Sequence, residues 1–260
     1  KNPIFRAFDM RELDFEQVFH EKLTQYAQLR HWVREPYGLM QEALASNGNL
    51  LLEGAQGALL DNQWGTYPYC TASTTLSGGA CAGLGLRPQS IDHVIGIAKA
   101  YTTRVGSGPM PTELLDEIGK TLLEEGAEYG TVTQRPRRCG WFDAELVRFT
   151  CQINGVTELA LTKLDVLDKL PTLRIGIGYR HPASPDQLNR YWQGDTRWLA
   201  ECQPEYIEME GWQQSTKNIR SYEPLPEKAK AYIKKVEELT DTPIRYISVG
   251  PERDATIKVW

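Results

Sequence analysis

The sequence predicts an α/β fold in which helices flank a largely parallel central sheet. Stretches of helical periodicity alternate along the chain with short apolar runs, as expected where helices connect parallel strands. Hydrophobic residues make up 41% and charged residues 24% of the 260 residues, which is close to the globular norm. This composition argues against the disordered and fibrous classes. A chain of this length can bury one large core or two modest ones.

Helices are predicted where apolar residues recur three or four positions apart and where capping residues or glycines flank the pattern. The predicted helices are 15–33, 37–45, 112–125, 143–152 and 225–239. Thr112 is the predicted N-cap of the third helix, and Asp143 caps the fourth. Short apolar runs predict strands at 50–53, 93–98, 158–161, 173–179 and 244–249.

The chain is expected to form a single domain over residues 1–260. Residues 65–90 are rich in Gly, Thr and Ser and lack periodicity, which indicates either a surface loop or a loop shaped around a ligand. The predicted segments are a helical region at 1–49, a sheet core with loops at 50–180, an irregular excursion at 180–222, and a helix with C-terminal strands at 223–260.

Charge and composition exclude several classes of partner. Lys and Arg number 29 against 34 Asp and Glu, a net charge of −5, so neither a broad nucleic-acid surface nor an anionic-membrane surface is expected. No apolar stretch approaches the roughly 20 residues that cross a bilayer, and no signal-peptide pattern is recognised. Five scattered cysteines and four histidines show no metal-ligand spacing, which predicts reduced thiols, a cytoplasmic protein and no structural metal.

The most informative polar loop is TKLD at residues 162–165, directly after a predicted strand. In open α/β sheets, ligands collect beyond the carboxyl ends of the strands. The Asp165 carboxylate suits guanine, whose N1–H and 2-amino group form a donor pair that adenine lacks, and the Lys163 stem suits the face of the base. The alternative for so short a motif is a solvated turn. Three further polar loops follow predicted strands, at 54–57, 102–106 and 248–251.

Three arginines within four residues, Arg135, Arg137 and Arg138, form a second signal in this acidic chain. Guanidiniums bind carboxylates and phosphates bidentately, and the hydroxyls of Thr131 and Thr133 just upstream suit an anion cradle. The alternative is a solvated basic turn. In the 54–57 loop, the Gln56 side chain both donates and accepts hydrogen bonds, which suits an amide-like ligand edge.

Seven short segments follow one another in an order that matches a known family. They are 53–57 (EGAQG), 65–69 (GTYPY), 99–106 (KAYTTRVG), 108–114 (GPMPTEL), 135–143 (RPRRCGWFD), 161–168 (LTKLDVLD) and 248–251 (SVGP). Together they resemble the adenylosuccinate synthetase family. The likeness is dense from about residue 50 to 180, looser from 204 to 257 and faint before 50.

The resemblance implies a P-loop-NTPase-like synthetase fold and a carbon–nitrogen ligase of purine biosynthesis. In the family reaction, GTP phosphorylates the 6-oxygen of inosine monophosphate (IMP), and the amine of L-aspartate then displaces that phosphate to give adenylosuccinate. Mg²⁺ bridges the phosphates, and catalysis relies on positioning and on neutralising charge. The resemblance further implies a cytoplasmic homodimer that acts on small molecules.

The resemblance also assigns residues by position. Gln56 corresponds to the family's catalytic glutamine, which contacts the base of IMP. The implied IMP-binding residues are Gln56, Thr71, Val105 and Arg135. The implied aspartate-binding residues are Thr131, Val132, Thr133, Gln134, Arg135 and Arg137. The implied GTP-binding residues are Arg137, Lys163, Leu164, Asp165, Ser248, Val249 and Gly250.

The chain departs from the family pattern in two ways. Val132 and Gln134 replace a threonine and a glycine of the usual T-T-G-R loop, which removes a hydroxyl and stiffens the loop; the change either alters the amino-acid substrate or is tolerated. No segment of the chain matches the family's phosphate loop, whose aspartate is the general base and a Mg²⁺ ligand. The family's general-acid histidine also has no match. The chain is therefore expected to be a C-terminal portion that is inactive without the segment holding the Mg²⁺ ligands. The alternatives are a relative that uses another purine monophosphate or ATP, and a non-catalytic nucleotide-binding fragment.

Overall fold

The computed structural model describes residues 1–46, 48–131, 134–190 and 194–259 of the chain. Internal contacts divide the chain into two units, residues 1–51 and 52–260. The described residues of the second unit form helices, a mostly parallel sheet and two further sheets with antiparallel pairs, so the predicted α/β class is confirmed. The prediction of a single domain over residues 1–260 stays a prediction.

The first unit consists of helices. They are α1 (Asn2–Ala7), α2 (Phe15–Leu29) and α3 (Pro36–Ala45), and a 3-10 turn at Arg30–Trp32 follows α2. Helix α2 begins where the Asp14 carboxylate accepts a hydrogen bond from the Gln17 backbone amide at 2.7 Å. That bond satisfies an amide of the first turn that has no partner within the helix. The helices predicted at 15–33 and 37–45 are therefore present.

The strand predicted at residues 50–53 is wrong. Residues 50–53 pair with no strand in the described chain, and Leu51 is 90% exposed. A run of leucines satisfies the apolar pattern of a strand whatever surrounds it, and here no neighbouring backbone completes a ladder. The loop at 54–57 therefore does not follow a strand.

The second unit contains the strands and the remaining helices. The helices are α4 (Ser77–Leu84), α5 (Glu117–Glu125), α6 (Ala144–Asn154), α7 (Thr196–Glu201) and α8 (Glu227–Thr240). The strands are β1 (Ile95–Lys99), β2 (Thr102–Arg104), β3 (Arg138–Gly140), β4 (Phe142–Asp143), β5 (Glu158–Thr162), β6 (Thr172–His181), β7 (Ser184–Asn189), β8 (Gln203–Glu210), β9 (Ile244–Ser248) and β10 (Thr256–Lys258). Within the described ranges, no helix is both long and apolar enough to cross a bilayer.

Three parallel strands define the sheet edge where polar loops meet. Strands β1, β5 and β9 pair in that order, and β10 adds to β9 in the antiparallel direction. The register sets Lys99 opposite Thr162 and Leu161 opposite Ile247. Because Leu161 and Ile247 are fully buried, the pairing is fixed by the core, and the three carboxyl ends lie side by side.

A second sheet occupies much of the region predicted as irregular. Strand β6 pairs in parallel with β4 and in antiparallel fashion with β7 and β8. The prediction of an irregular excursion at 180–222 is wrong for residues 184–189 and 196–210, which form β7, α7 and β8. Most residues of β7 and β8 are exposed or half-buried, so these strands carry no apolar run for a sequence pattern to detect.

The loop predicted at 102–106 is in part a strand. Residues Thr102–Arg104 form β2, which pairs with β3 so that Thr102 lies opposite Gly140 and Arg104 opposite Arg138. This antiparallel pair brings the end of the arginine-rich segment beside the end of β2. The pairing joins residues that are far apart in sequence, which a local pattern does not reveal.

Helix α5 begins later than predicted, so Thr112 is not its N-cap. The backbone oxygen of Thr112 accepts a hydrogen bond from the Trp141 amide at 3.0 Å, and the Leu114 amide donates to the Cys139 oxygen at 2.9 Å. These bonds hold residues 112–114 against residues 139–141, with Thr112 in a turn. The helix can start only after them, and Asp116 caps it.

Residues 65–90 contain helix α4, which the sequence does not predict. Its glycines and small residues give no apolar stripe. Tertiary contacts position it instead, because the Ser77 amide donates to Asn154 Oδ1 at 2.8 Å and the Ser77 hydroxyl donates to the Asn154 backbone oxygen at 2.9 Å.

Replacing Gly140 with alanine is expected to destabilise the second unit by about 1–3 kcal/mol. A Cβ at this position would overlap the backbone oxygen of Thr112, which cannot move because Trp141 donates to it. The matched control is Gly83→Ala in α4, where no heavy atom lies within 4 Å of the added Cβ. That change is expected to be neutral or to stabilise by up to about 1 kcal/mol. Urea unfolding checks both values, and equal effects would contradict this packing.

Candidate functional site

The TKLD loop lies at the carboxyl end of β5, as its sequence predicts. Lys163 adopts a left-handed backbone with φ of 60°, and a 3-10 helix at Leu164–Leu167 follows it. This turn buries the Leu164 side chain fully and leaves Asp165 half-buried. Among the described residues, no other residue donates a hydrogen bond to the Asp165 carboxylate or pairs with it. Asp165 therefore keeps its acceptor atoms available to a ligand.

Asp168 anchors the end of this turn. Its buried carboxylate accepts hydrogen bonds from Trp212 Nε1 at 2.7 Å, from the Thr216 amide at 2.7 Å and from the Thr216 hydroxyl at 2.9 Å. Burial and the neighbouring charge of Asp168 both raise the pKa of Asp165 above its usual range. Asp168 thus holds the end of the turn and adds to the effect of burial on the pKa of the half-buried Asp165.

The turn at 248–250 follows β9 at the same edge of the sheet. The Ser248 hydroxyl donates to the Gly250 oxygen at 2.8 Å, and the Val249 amide donates to the Ala255 oxygen at 3.0 Å. Val249 is fully buried, like Leu164. A ligand at this edge would therefore meet the backbone of these two residues and not their side chains.

A buried carboxylate, Glu128, joins the TKLD loop to the arginine-rich segment. Glu128 is fully buried and accepts hydrogen bonds from Lys99 Nζ at 2.8 Å, Lys163 Nζ at 2.9 Å, Arg137 Nη1 at 2.7 Å and the Tyr101 hydroxyl at 2.7 Å. We call these five residues the Glu128 cluster. The cluster draws its members from the ends of β1 and β5, from the residues after α5 and from the residue before β3.

The charges of the Glu128 cluster shape its proton affinities. Burial by itself would raise the pKa of Glu128, but hydrogen bonds from Lys163, Lys99 and Tyr101 outweigh it and lower the pKa to about 2. Burial lowers the pKa of Lys99, and the bond to Glu128 offsets part of that shift. Burial and Glu128 raise the pKa of Tyr101. Glu128 therefore remains ionised, beside three cationic side chains.

The three arginines have different environments. Arg135 is exposed and makes no side-chain hydrogen bond to the described residues. Arg137 pairs with Glu128, and its Nε is buried with no hydrogen-bond partner in the described chain. Arg138 forms a bidentate pair with Glu113 at 2.7 and 2.5 Å and donates to the Gly108 backbone oxygen at 2.8 Å. Arg138 is thus a structural residue, while Arg135 and Arg137 remain candidates for a ligand.

Backbone hydrogen bonds join the two ends of the acid-binding loop, the segment 130–135 that holds most of the predicted aspartate-binding residues. The Gly130 amide donates to the Arg135 oxygen at 2.9 Å, and the Gln134 amide donates to the Gly130 oxygen at 2.8 Å. Gln134 has φ of 52°, a conformation that favours glycine, so the family's glycine at this position has a physical reason. Thr131 is exposed. The predicted residues Val132 and Thr133 lie outside the described residues.

Arg104 ties together the segments of two predicted IMP contacts. Its guanidinium donates to the Thr66 hydroxyl at 2.8 Å and to the Tyr69 oxygen at 3.2 Å, so the segment leading to Thr71 is held beside β2 and Val105. Val105 is exposed and follows β2 directly. The register of β2 with β3 then sets Val105 beside the segment of Arg137.

Gln56 is exposed and has φ of 62°. The next residue is held in place, since the Thr75 hydroxyl donates to the Gly57 oxygen at 2.9 Å. No hydrogen bond or ion pair among the described residues joins Gln56 to the TKLD loop or to Arg137. The structure therefore brings Arg137 and Lys163 onto one carboxylate, and it leaves Gln56 in a separate loop.

Glu128 is the site residue that sequence reasoning misses. An acid between a helix-ending glycine and a loop has no distinctive pattern, and its cationic partners lie up to 35 residues away.

The described residues contain no group of three or more His, Cys, Asp or Glu that could hold a metal ion. The residues described here therefore do not fit the Mg²⁺ that the resemblance implies. All five cysteines are free thiols.

Comparison with known proteins extends the resemblance over the whole chain. A family model described as adenylosuccinate synthetase matches residues 1–257. The adenylosuccinate synthetase of Clostridium novyi (strain NT) is 46% identical over 259 residues, which cover 100% of this chain and 60% of that protein. The enzyme of the same name from Alkalilimnicola ehrlichii is 49% identical over 250 residues, which cover 96% of this chain and 57% of that protein. The chain thus spans about three fifths of the length of these relatives.

Solved structures show the same likeness. The fold matches that of fully ligated adenylosuccinate synthetase from Plasmodium falciparum with a TM-score of 0.93 and 35% identity, covering 98% of this chain and 61% of that one. The succinoaminodeoxyadenylate synthetase of cyanophage S-2L, bound to dGMP and dATP, matches with a TM-score of 0.53 and 22% identity over 85% of this chain and 49% of that one. At that identity, the second likeness concerns the fold alone.

The change Arg138→Lys is expected to destabilise the protein by about 1–3 kcal/mol. Lysine cannot reproduce the planar bidentate pair with Glu113 and also reach the Gly108 oxygen. The matched change Arg135→Lys, at an exposed side chain, is expected to stay within about 0.5 kcal/mol of the wild type. Thermal and urea unfolding measure both, and a larger loss for Arg135→Lys would contradict the structural role given to Arg138.

Proposed function

Because the chain belongs to the adenylosuccinate synthetase family, we propose that it takes part in the GTP-dependent condensation of IMP with L-aspartate to adenylosuccinate. In this reaction a carbon–nitrogen bond forms at the purine 6-position and GTP is the phosphoryl donor. The observation that carries the proposal is Asp165, a half-buried carboxylate without a partner in the described chain, set beside Lys163 at the carboxyl edge of the parallel sheet. This arrangement suits a ligand that offers two adjacent donors.

The guanine end of GTP is assigned to the loops after β5 and β9. Asp165 would accept the N1–H and 2-amino protons, and the Lys163 stem would cover the base. Ser248 and the backbone of Leu164, Val249 and Gly250 would line its edge. Support comes from the register of the sheet, which sets these two loops next to each other. An adenine base would leave the Asp165 carboxylate facing acceptors, which is unfavourable.

The acidic substrates are assigned to the segments around β2 and β3. Arg135 and Arg137 would bind the aspartate carboxylates, together with Thr131, Val132, Thr133 and Gln134, and Arg137 would also reach GTP. Gln56, Thr71, Val105 and Arg135 would bind IMP. Two observations support the role of Arg137, namely its place in a cluster with more positive than negative charge and the absence of a described partner for its Nε.

In the proposed mechanism this chain binds and orients its substrates. The cationic side chains of Arg137 and Lys163 would reduce the charge repulsion between GTP and IMP, and the bound guanine would fix the direction of the triphosphate. Attack by the IMP 6-oxygen transfers the γ-phosphoryl group, and the aspartate amine then displaces phosphate from the purine. We propose that the Mg²⁺ ligands and the catalytic base lie outside these 260 residues. These residues alone then do not catalyse the reaction. We also propose a cytoplasmic homodimer.

The change Asp165→Asn is expected to weaken GTP binding about 10- to 100-fold and to leave ATP binding unchanged. Asparagine replaces one of the two acceptor oxygens that guanine needs with an NH₂ group, which is a donor and would face a guanine donor. Calorimetric titration of the protein with GTP and with ATP measures the selectivity, and Asp186→Asn, at an exposed position of β7, is the control. Equal binding of GTP and ATP before mutation, or equal losses after it, would refute guanine recognition at Asp165.

As the pH is lowered, GTP affinity is expected to begin to fall at a higher pH than it would if Asp165 had the usual pKa of an aspartate. The pKa of Asp165 is raised by burial and by Asp168, so the carboxylate takes up its proton earlier as the pH drops. The protonated form has lost part of its acceptor capacity. The ratio of wild-type to Asp165→Asn affinity, measured from pH 8 to about pH 4, removes the titration of the nucleotide itself. A ratio that does not change with pH would contradict the expectation.

A further inference from the structure

We propose that Glu128 is a positioning residue that couples recognition of the guanine base to the grip on acidic ligands. Its single carboxylate holds Lys163 of the base-recognition loop and Arg137 of the acid-binding segment at the same time. The inference rests on the proposed function and adds a residue that contacts neither substrate itself.

The backbone fixes Glu128 before any ligand arrives. The Glu128 amide donates to the Leu123 oxygen at 2.9 Å at the end of α5, and its oxygen accepts from the Arg137 amide at 2.8 Å. Ala127 just before it has φ of 46°, a tight turn that directs the chain out of the helix. The backbone amide and carbonyl of Glu128 are both hydrogen-bonded and its side chain is fully buried, so the residue has little freedom. Glu128 is thus a fixed point to which flexible cationic side chains attach.

The charge of the Glu128 cluster indicates a site kept ready for an anion. Three cationic side chains share one carboxylate, so the cluster is positive by two charges. A purely structural group would approach neutrality, because buried like charges repel one another. The side chains of Lys99, Arg137 and Lys163 are 24%, 28% and 34% exposed, while that of Glu128 is 0% exposed. The surplus positive charge therefore lies nearer the surface than the carboxylate that positions it.

Coupling follows from the shared acceptor. Lys163 Nζ bonds to Oε1 and Arg137 Nη1 bonds to Oε2 of the same carboxylate, and Lys99 Nζ bonds to both oxygens. If the carboxylate is removed, the three cations repel one another with no common acceptor. Arg137 then loses its ion pair, and Lys163 Nζ keeps, among the described residues, only its hydrogen bond to the Gly126 backbone oxygen. Loss of Glu128 should then weaken GTP binding through Lys163 and Arg137, which are the groups placed against the nucleotide.

The test compares GTP affinity in Glu128→Gln, Lys163→Met and the double variant. Glu128→Gln keeps the size of the side chain and removes its charge, and it is expected to weaken GTP binding at least 10-fold. In the Lys163→Met background, the same change should cause a smaller additional loss than in the wild type, since part of its effect acts through Lys163. Glu145→Gln is the control: Glu145 is a buried carboxylate that pairs with Arg148 in α6, outside the site. It should leave GTP affinity unchanged.

Unchanged or tighter GTP binding in Glu128→Gln would overturn the proposal, and so would full additivity with Lys163→Met. If Glu128→Gln does not fold, Glu128→Asp serves in its place, because the shorter side chain keeps the charge but cannot reach every partner. The same affinity and additivity criteria then apply. A crystal structure of the variant provides a readout that needs no nucleotide, with displacement of Lys163 Nζ and the Arg137 guanidinium expected and their unchanged positions contradicting the proposal. If the wild type shows no preference for GTP, guanine recognition is refuted but the positioning role of Glu128 is not. The crystal structure of the variant still tests that role.

Discussion

The candidate site depends on the parallel pairing of β1, β5 and β9. Parallel strands end at a common edge, and the register that sets Lys99 opposite Thr162 and Leu161 opposite Ile247 brings the three following loops together. Slippage of one strand by a single residue would turn its core side chains outward, so the buried leucine and isoleucine also fix the register of the site. The polar edge is therefore a consequence of core packing.

Buried carboxylates hold the loops that leave this scaffold. Asp61 accepts hydrogen bonds from the amides of Gln63, Trp64 and Thr75, and these backbone bonds lower its pKa even though burial acts to raise it. Asp168 acts in the same way on Trp212 and Thr216, and Glu128 acts on side-chain cations. A charged acceptor forms stronger hydrogen bonds than a neutral one, and its burial cost is recovered only when several donors converge on it. Asp61 and Asp168 thus each hold one loop, and Glu128 holds side chains from separate segments.

In the loop at 130–135, Gln134 occupies a backbone conformation that favours glycine. Gln134 takes a left-handed conformation there, and its side-chain amide donates to the Thr131 oxygen at 3.1 Å. That hydrogen bond offsets part of the conformational cost relative to glycine. Gln134 therefore holds a left-handed backbone at a position where the resemblance implies glycine.

The sequence by itself determined the α/β class, the helices α2, α3, α6 and α8, the strands β1, β5, β6 and β9, and the family likeness of the TKLD loop. Those features depend on periodicity, caps and short motifs, which are local properties of a chain. Only the tertiary structure decided that Thr112 lies outside α5, that residues 50–53 form no strand, that Arg138 is structural and that Arg137 and Lys163 share Glu128. Each of these outcomes depends on a hydrogen-bond partner or its absence, and the partners lie up to 35 residues apart along the chain. Such pairing is set by the packing of the sheet and leaves no pattern in the sequence around the residue itself.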